Sequence, residues 1–103
     1  GGGGAGMYAS SKAFVSNITR GMAKEFATKG VRVNAVAPGI ALTPFHERYS
    51  TEAQLAAMVA TIPMGRASTS DENVGAYLFL ASKTLSGYVT GQIIEVNGGQ
   101  LMP

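Results

Sequence analysis

A tyrosine and a lysine stand four residues apart in Tyr8-Ala9-Ser10-Ser11-Lys12. On a helix, residues at i and i+4 stack on one face, so this spacing sets a phenol beside an ammonium. A phenol titrates near ~10 and exchanges protons poorly at neutral pH unless its anion is favoured. Bringing that value to about 7 takes roughly 4 kcal/mol, and one cation about 4 Å away at an effective dielectric of ~20 supplies about that much. The pair can therefore serve as a proton-transfer device. The competing reading is a partly exposed tyrosine next to a lysine whose stem lies along a surface helix. The surrounding sequence must decide between them.

Other chemistry-bearing residues point less clearly. Residues 1–6 read Gly-Gly-Gly-Gly-Ala-Gly, which invites a phosphate-loop interpretation. Such a loop needs a strand before it and a helix after it, and nothing precedes these glycines, so a flexible loop or linker is expected. His46 is the sole histidine, with no carboxylate or second histidine at ligand spacing, and it is expected to face solvent. No metal site is expected. Arg48 and Arg66 are the only charged residues that offer a clamp near the segment 44–63.

The elements that must carry the Tyr8–Lys12 pair follow from periodicity. Over residues 7–28, Phe14, Ile18 and Met22 recur at i+4 steps, with Ala23 and Phe26 widening the stripe, so a helix of about 20 residues is expected. Ala9, Ser10, Ser11, Ala13 and Ser16 keep the turn around the pair small, which lets another backbone or a ligand approach. Lys29 suits the negative end of this helix, and Gly30 suits a left-handed cap. The valine-rich run 31–37 then reads as a strand covered on both faces, as in a parallel sheet. Asn34 interrupts it, and a buried amide there needs hydrogen-bond partners.

The loop Pro38-Gly39-Ile40-Ala41-Leu42-Thr43-Pro44 follows at the carboxyl end of that strand, the edge where open parallel sheets bind ligands. Ser50 or Thr51 can cap a short helix through about residue 60, with Thr51 and Gln54 spaced as a capping box and Leu55, Met58 and Val59 on its apolar face. An excursion of this size suits a flap over an apolar pocket, or an ordinary surface helix. Thr69 and Glu72 form a second capping box, opening a helix to about Lys83 whose buried face is expected to be Val74, Tyr77, Leu78 and Ala81. Residues 92–96 read as a second strand, closed by Asn97-Gly98-Gly99. Strand, helix and strand make a crossover in a parallel sheet.

Composition narrows the function classes. The chain has 103 residues, enough for one domain with a real if small core. It is 46% hydrophobic and 14% charged, which is globular rather than disordered. Its net charge of +2 comes from dispersed lysines and arginines not interleaved with aromatics, which argues against nucleic-acid binding. Cysteine is absent, excluding disulfides and thiolate metal sites and fitting a reducing compartment. No apolar run is long enough for a membrane span and no signal-peptide pattern opens the chain, so a soluble, cytoplasmic protein is expected.

The order of these pieces resembles the carboxyl-terminal part of the short-chain dehydrogenase/reductase family. The resemblance rests on Tyr8-x-x-x-Lys12, Val31-Arg32-Val33-Asn34-Ala35-Val36-Ala37 before Pro38-Gly39, Thr43 five positions after Pro38, Ile62-Pro63-Met64-Gly65-Arg66, Leu78-Phe79-Leu80-Ala81-Ser82, and Thr90-Gly91-Gln92 through Val96-Asn97-Gly98-Gly99. It is nearest to the branch of 3-oxoacyl carrier-protein reductases and sugar or polyol dehydrogenases. It implies the carboxyl-terminal portion of a doubly wound, parallel-sheet, Rossmann-like α/β fold: long helix, strand, flap helix, helix, strand. It implies an oxidoreductase passing hydride between NAD or NADP and a small carbonyl/alcohol substrate. Tyr8 would be the general acid/base, and Lys12 would tune it and hold the nicotinamide ribose. Pro38 and Gly39 would shape the loop against the nicotinamide, and Ala41 and Thr43 would hold its carboxamide. Residues 44–63 would be the substrate flap. Members of the family often form homodimers or homotetramers.

The resemblance also implies what these residues lack. The glycine-rich dinucleotide loop, the residue that selects NAD from NADP, and the serine that partners the tyrosine belong to an amino-terminal half outside residues 1–103. Two strands cannot by themselves make the covered sheet their sequences ask for. The chain is thus expected to be a partial domain, inactive alone. The alternative is a non-catalytic truncated fragment that acts only in subunit association.

Overall fold

The computed structural model describes residues 3–40 and 51–102, with side chains in the first helix described from Ser10 onward. The element order is α1 (Gly3–Ala27), β1 (Ala35–Pro38), α2 (Glu52–Val59), α3 (Ser70–Ala81), α4 (Lys83–Ser86) and β2 (Ile93–Val96). The two strands pair in parallel, with Ala35, Val36, Ala37 and Pro38 opposite Ile93, Ile94, Glu95 and Val96. This is the α/β arrangement expected of residues 31–37 and 92–96, with the helices of the crossover between them.

Helix α1 begins at Gly3, so the expected loop over residues 1–6 gives way to helix from the third residue. Adding a residue to a formed helix closes one hydrogen bond per residue fixed, which offsets the roughly 1 kcal/mol handicap of each glycine. At the other end Gly30 takes φ +74°, the left-handed cap its position calls for. The Lys29 ammonium lies 5.3 Å from the Phe26 ring centroid. Its stem and charge thus close over the last aromatic of the helix.

Strand β1 starts four residues later than the valine run predicts. Residues 31–34 face the turn at 89–91, where side chains replace the ladder. The Thr90 hydroxyl accepts from Val33 N (3.1 Å), and Gly91, at φ +74°, donates its N–H to Val33 O (2.8 Å). Arg32 Nη1 donates to Ser86 O (2.8 Å) and Ser86 Oγ (3.0 Å). Asn34 satisfies its amide as expected, donating from Nδ2 to Val89 O and accepting from Gln92 N, both at 3.0 Å.

Both capping boxes form, with Thr51 and Gln54 opening α2 and Thr69 and Glu72 opening α3. The helix predicted to reach Lys83 instead breaks at Ser82, which is extended (φ −82°, ψ 111°). Ser82 ends α3 through its N–H and starts α4 by accepting from Leu85 N with its hydroxyl. A serine can replace a backbone partner in this way, which is why it interrupts an otherwise helical run.

The expected core is not assembled. The buried apolar residues among those described are Ala23, Ile62 and Ala67. Phe14, Ile18 and Met22 on α1, and Val74, Tyr77 and Leu78 on α3, form apolar faces as predicted but are exposed, because no further layer covers them. Helix α1 lies over the sheet face carrying Gly91, Ile93 and Glu95, separated from it by a cleft of about 530 Å³. Helix α3 approaches the opposite face, where Val96 shares a small cavity with Ser68 and Glu72. Helices on both faces of a parallel sheet is the doubly wound plan.

Candidate active site

The site is built where the head of α1 meets the carboxyl ends of the strands. The backbone of Tyr8 and Lys12 lies within one continuous helix, so the two positions share a face one turn apart. Small residues Ser10, Ser11 and Ala13 flank Lys12. Lys12 reaches across to β2, where its Nζ lies 2.6 Å from Glu95 Oε1. The two side chains are 22% and 18% exposed, so the ion pair is mostly withdrawn from solvent.

Lys12 and Glu95 line a cavity of about 410 Å³ together with Pro38, Gly39, Ile40, Asn97, Gln100 and Leu101. The strand ladder places the Pro38–Gly39 loop here, since Gly39 N donates to Val96 O at 2.8 Å. Gly39 is required by its surroundings. A Cβ at this position would lie 2.6 Å from Asn97 Cβ and 2.8 Å from Asn97 Cα, and backbone cannot move aside cheaply. Asn97 holds the far wall by donating Nδ2 to Leu101 O (2.9 Å) and accepting from Gly99 N on Oδ1 (3.0 Å). Gly98 and Gly99, at φ +63° and +90°, permit the tight turn that returns Gln100 to the cavity. Gln100 Nε2 donates to Thr61 Oγ1 at 2.7 Å, tying this wall to the chain just after α2.

The structure thus brings together three of the sequence-predicted residues, Lys12, Pro38 and Gly39, at one cavity. Tyr8 is placed by its backbone only, and Ala41 and Thr43 lie outside the described residues, as do His46, Arg48 and most of the loop entering the predicted flap. Sequence reasoning missed Glu95, Asn97 and Gln100. The signal for Glu95 was available, because strand alternation puts a carboxylate on the same face as Ile93 within Ile-Ile-Glu-Val. Among the described residues no cluster of three His, Cys, Asp or Glu could hold a metal ion, and no helix is long and apolar enough to cross a membrane.

What this arrangement offers chemically is a lysine donor, two carboxamides and a backbone turn around a half-enclosed space with apolar walls. The family model described as enoyl-(acyl carrier protein) reductase matches residues 1–100. The 3-oxoacyl-(acyl-carrier-protein) reductase FabG of Thermotoga maritima is 47% identical over 92 residues, covering 89% of this chain and 37% of its own. Glucose 1-dehydrogenase of Gluconobacter oxydans is 45% identical over 93 residues, covering 89% of this chain and 35% of its own. The crystal structure of the NADH-dependent reductase A1-R', responsible for alginate metabolism, superposes with a TM-score of 0.80 at 45% identity, over all of this chain and 37% of that one. The chain therefore spans about a third of the length of the relatives it matches.

Proposed function

The chain belongs to the short-chain dehydrogenase/reductase family, and from that premise we propose that it carries the proton-transfer and ribose-holding part of an NAD- or NADP-dependent oxidoreductase site. The substrate class is a small molecule with a carbonyl or the corresponding alcohol. One observation carries the reading: Lys12, one helical turn after Tyr8, opens on the same cavity as Pro38 and Gly39.

The nicotinamide supplies or accepts the hydride when bound. Tyr8 gives the proton to the carbonyl oxygen in reduction and removes it from the hydroxyl in oxidation. Lys12 favours the phenolate by its charge and holds the ribose hydroxyls with its N–H donors. Pro38 and Gly39 shape the wall against the nicotinamide, and Ala41 and Thr43 hold its carboxamide. Residues 44–63 act as the substrate flap. The activities that two relatives are named for, 3-oxoacyl-(acyl-carrier-protein) reductase and glucose 1-dehydrogenase, mark the kinds of carbonyl/alcohol pair to try first.

Tyr8→Phe in the full-length protein carrying this chain removes the proton and leaves the ring. Turnover should fall by about 10²-fold or more while the dissociation constant of the nicotinamide nucleotide changes little. An unchanged rate sinks the assignment.

A second reading has its own observation. Phe14, Val15, Ile18 and Met22 leave α1 with an exposed apolar stripe. A non-catalytic role in subunit association, as a homodimer or homotetramer, would cover that stripe. Both readings require little or no binding of NADH or NADPH by the 103-residue chain alone, so its titration tests the need for an upstream portion and does not separate them. Activity regained on adding the upstream portion then selects the enzyme.

A further inference from the structure

Lys12 is not free at the head of α1. Its Nζ meets Glu95 Oε1 at 2.6 Å, and the pair is the only one among the described residues that opens on the strand-end cavity. Glu95 is itself anchored. It sits on β2 opposite Ala37 of β1, one residue before the Pro38–Gly39 turn. Its second oxygen faces Asn97 Nδ2 at 3.4 Å, and Asn97 is fixed by its bonds to Gly99 N and Leu101 O. A carboxylate held by a strand and a buttressing amide gives the flexible four-carbon stem of lysine a single destination.

We propose that Glu95 is the positioning residue for Lys12: it engages one of the three N–H donors of the ammonium and leaves the other two for the paired hydroxyls of the nicotinamide ribose. The assignment of the ribose rests on the function proposed above; the hold of Glu95 on Lys12 does not. A lysine already directed to the cavity loses less freedom when a diol binds, so the carboxylate contributes to nucleotide affinity without touching the nucleotide.

The test is lysine acetylation by a water-soluble N-hydroxysuccinimide ester, quantified peptide by peptide, on the full-length protein carrying this chain. In the wild type Lys12 should react more slowly than the exposed Lys24, Lys29 and Lys83. Glu95→Gln keeps the shape and removes the charge. It should raise the Lys12 rate about fivefold, the ratio given by an ion pair at the upper end of the surface range, and leave the other three unchanged. The same substitution should weaken NADH or NADPH binding, read by fluorescence titration, by a similar factor of about five. It should raise the KM for the nucleotide more than it lowers kcat, a split that general loss of structure would not give.

An unchanged Lys12 rate in Glu95→Gln overturns the proposal. If that variant does not fold, the wild-type comparison decides: Lys12 reacting as fast as the three exposed lysines overturns it, and protection supports it. Faster labelling with unchanged nucleotide affinity overturns the ribose role while leaving Glu95 as the partner of Lys12. Absence of nucleotide binding by the wild-type full-length protein overturns the proposed function instead, and the labelling result still stands or falls on Glu95 alone.

Discussion

Two ion pairs differ in what their surroundings let them do. Lys12–Glu95 is mostly buried and opens on a cavity, so its charges can be felt by a ligand. Arg66–Glu72 is exposed, yet its geometry is better, with Arg66 Nη1 and Nη2 each 2.7 Å from one oxygen of Glu72. Glu72 also accepts from Thr69 N in the capping box of α3. The Arg66 guanidinium first, and the Thr69 N–H next, hold the Glu72 carboxyl at about 2, below its ordinary 4.5. A folded value below the unfolded one favours the fold at pH above the ordinary range, and that contribution fades as pH falls from about 4.5 toward 2. Glu72→Gln should therefore lower the denaturant midpoint of the full-length protein at neutral pH by a small amount. The gap from wild type should close over that acidic window. A gap that stays constant down to about pH 2, or a Glu72 carboxyl titrating near 4.5 by NMR, would contradict the assignment.

At the scale of elements, what the sequence made legible was local. Both capping boxes, the left-handed Gly30 and the parallel pairing of two short apolar runs depend on residues close in sequence or on strand character, and all formed. What it hid was set by distant partners. The strand register begins at Ala35 because Thr90, Val89 and Ser86 engage residues 32–34 from more than fifty positions away. Glu95 joins the site only because β2 lies under the head of α1. Lys12, Pro38 and Gly39 were findable by motif, whereas Asn97 and Gln100 needed the fold. Asn34 marks the boundary between the two kinds of signal, since its need for partners was readable and their identity was not. Asn34→Ala strips the bonds from Val89 O and Gln92 N. It should cost about 1–3 kcal/mol in urea unfolding of the full-length protein, the usual penalty for taking the main partner from a part-buried backbone carbonyl, here Val89 O, since Gln92 N is exposed. A loss within about 0.5 kcal/mol, typical of surface substitutions, would mean water replaces the amide.

At the scale of the whole molecule, the parts are well formed and poorly joined. The radius of gyration is 15.8 Å, against about 13 Å for a compact domain of 100 residues. Phe14 on α1 and Leu78 on α3 are 64% and 65% exposed, although both lie on faces whose periodicity asks for burial. A two-stranded parallel sheet is not stable by itself, and with the cleft of about 530 Å³ beneath α1, Ala23 is the buried apolar residue of that helix among those described. Stability in a domain of this size must come from apolar burial that exceeds the entropy of ordering the chain, and here most large side chains contribute little. The 103-residue chain alone should accordingly keep helical circular dichroism while unfolding over a broad thermal range and binding an apolar dye such as ANS. Adding the portion that its relatives carry, as a separate polypeptide or in one chain, should sharpen the transition and suppress dye binding, because Phe14, Ile18, Val74 and Leu78 then acquire a cover. A sharp two-state transition for the 103 residues alone, with an unfolding enthalpy near the ~70 kcal/mol of an ordinary 100-residue domain, would show that they close their own core. It would also remove the physical reason for assigning the site to a larger assembly.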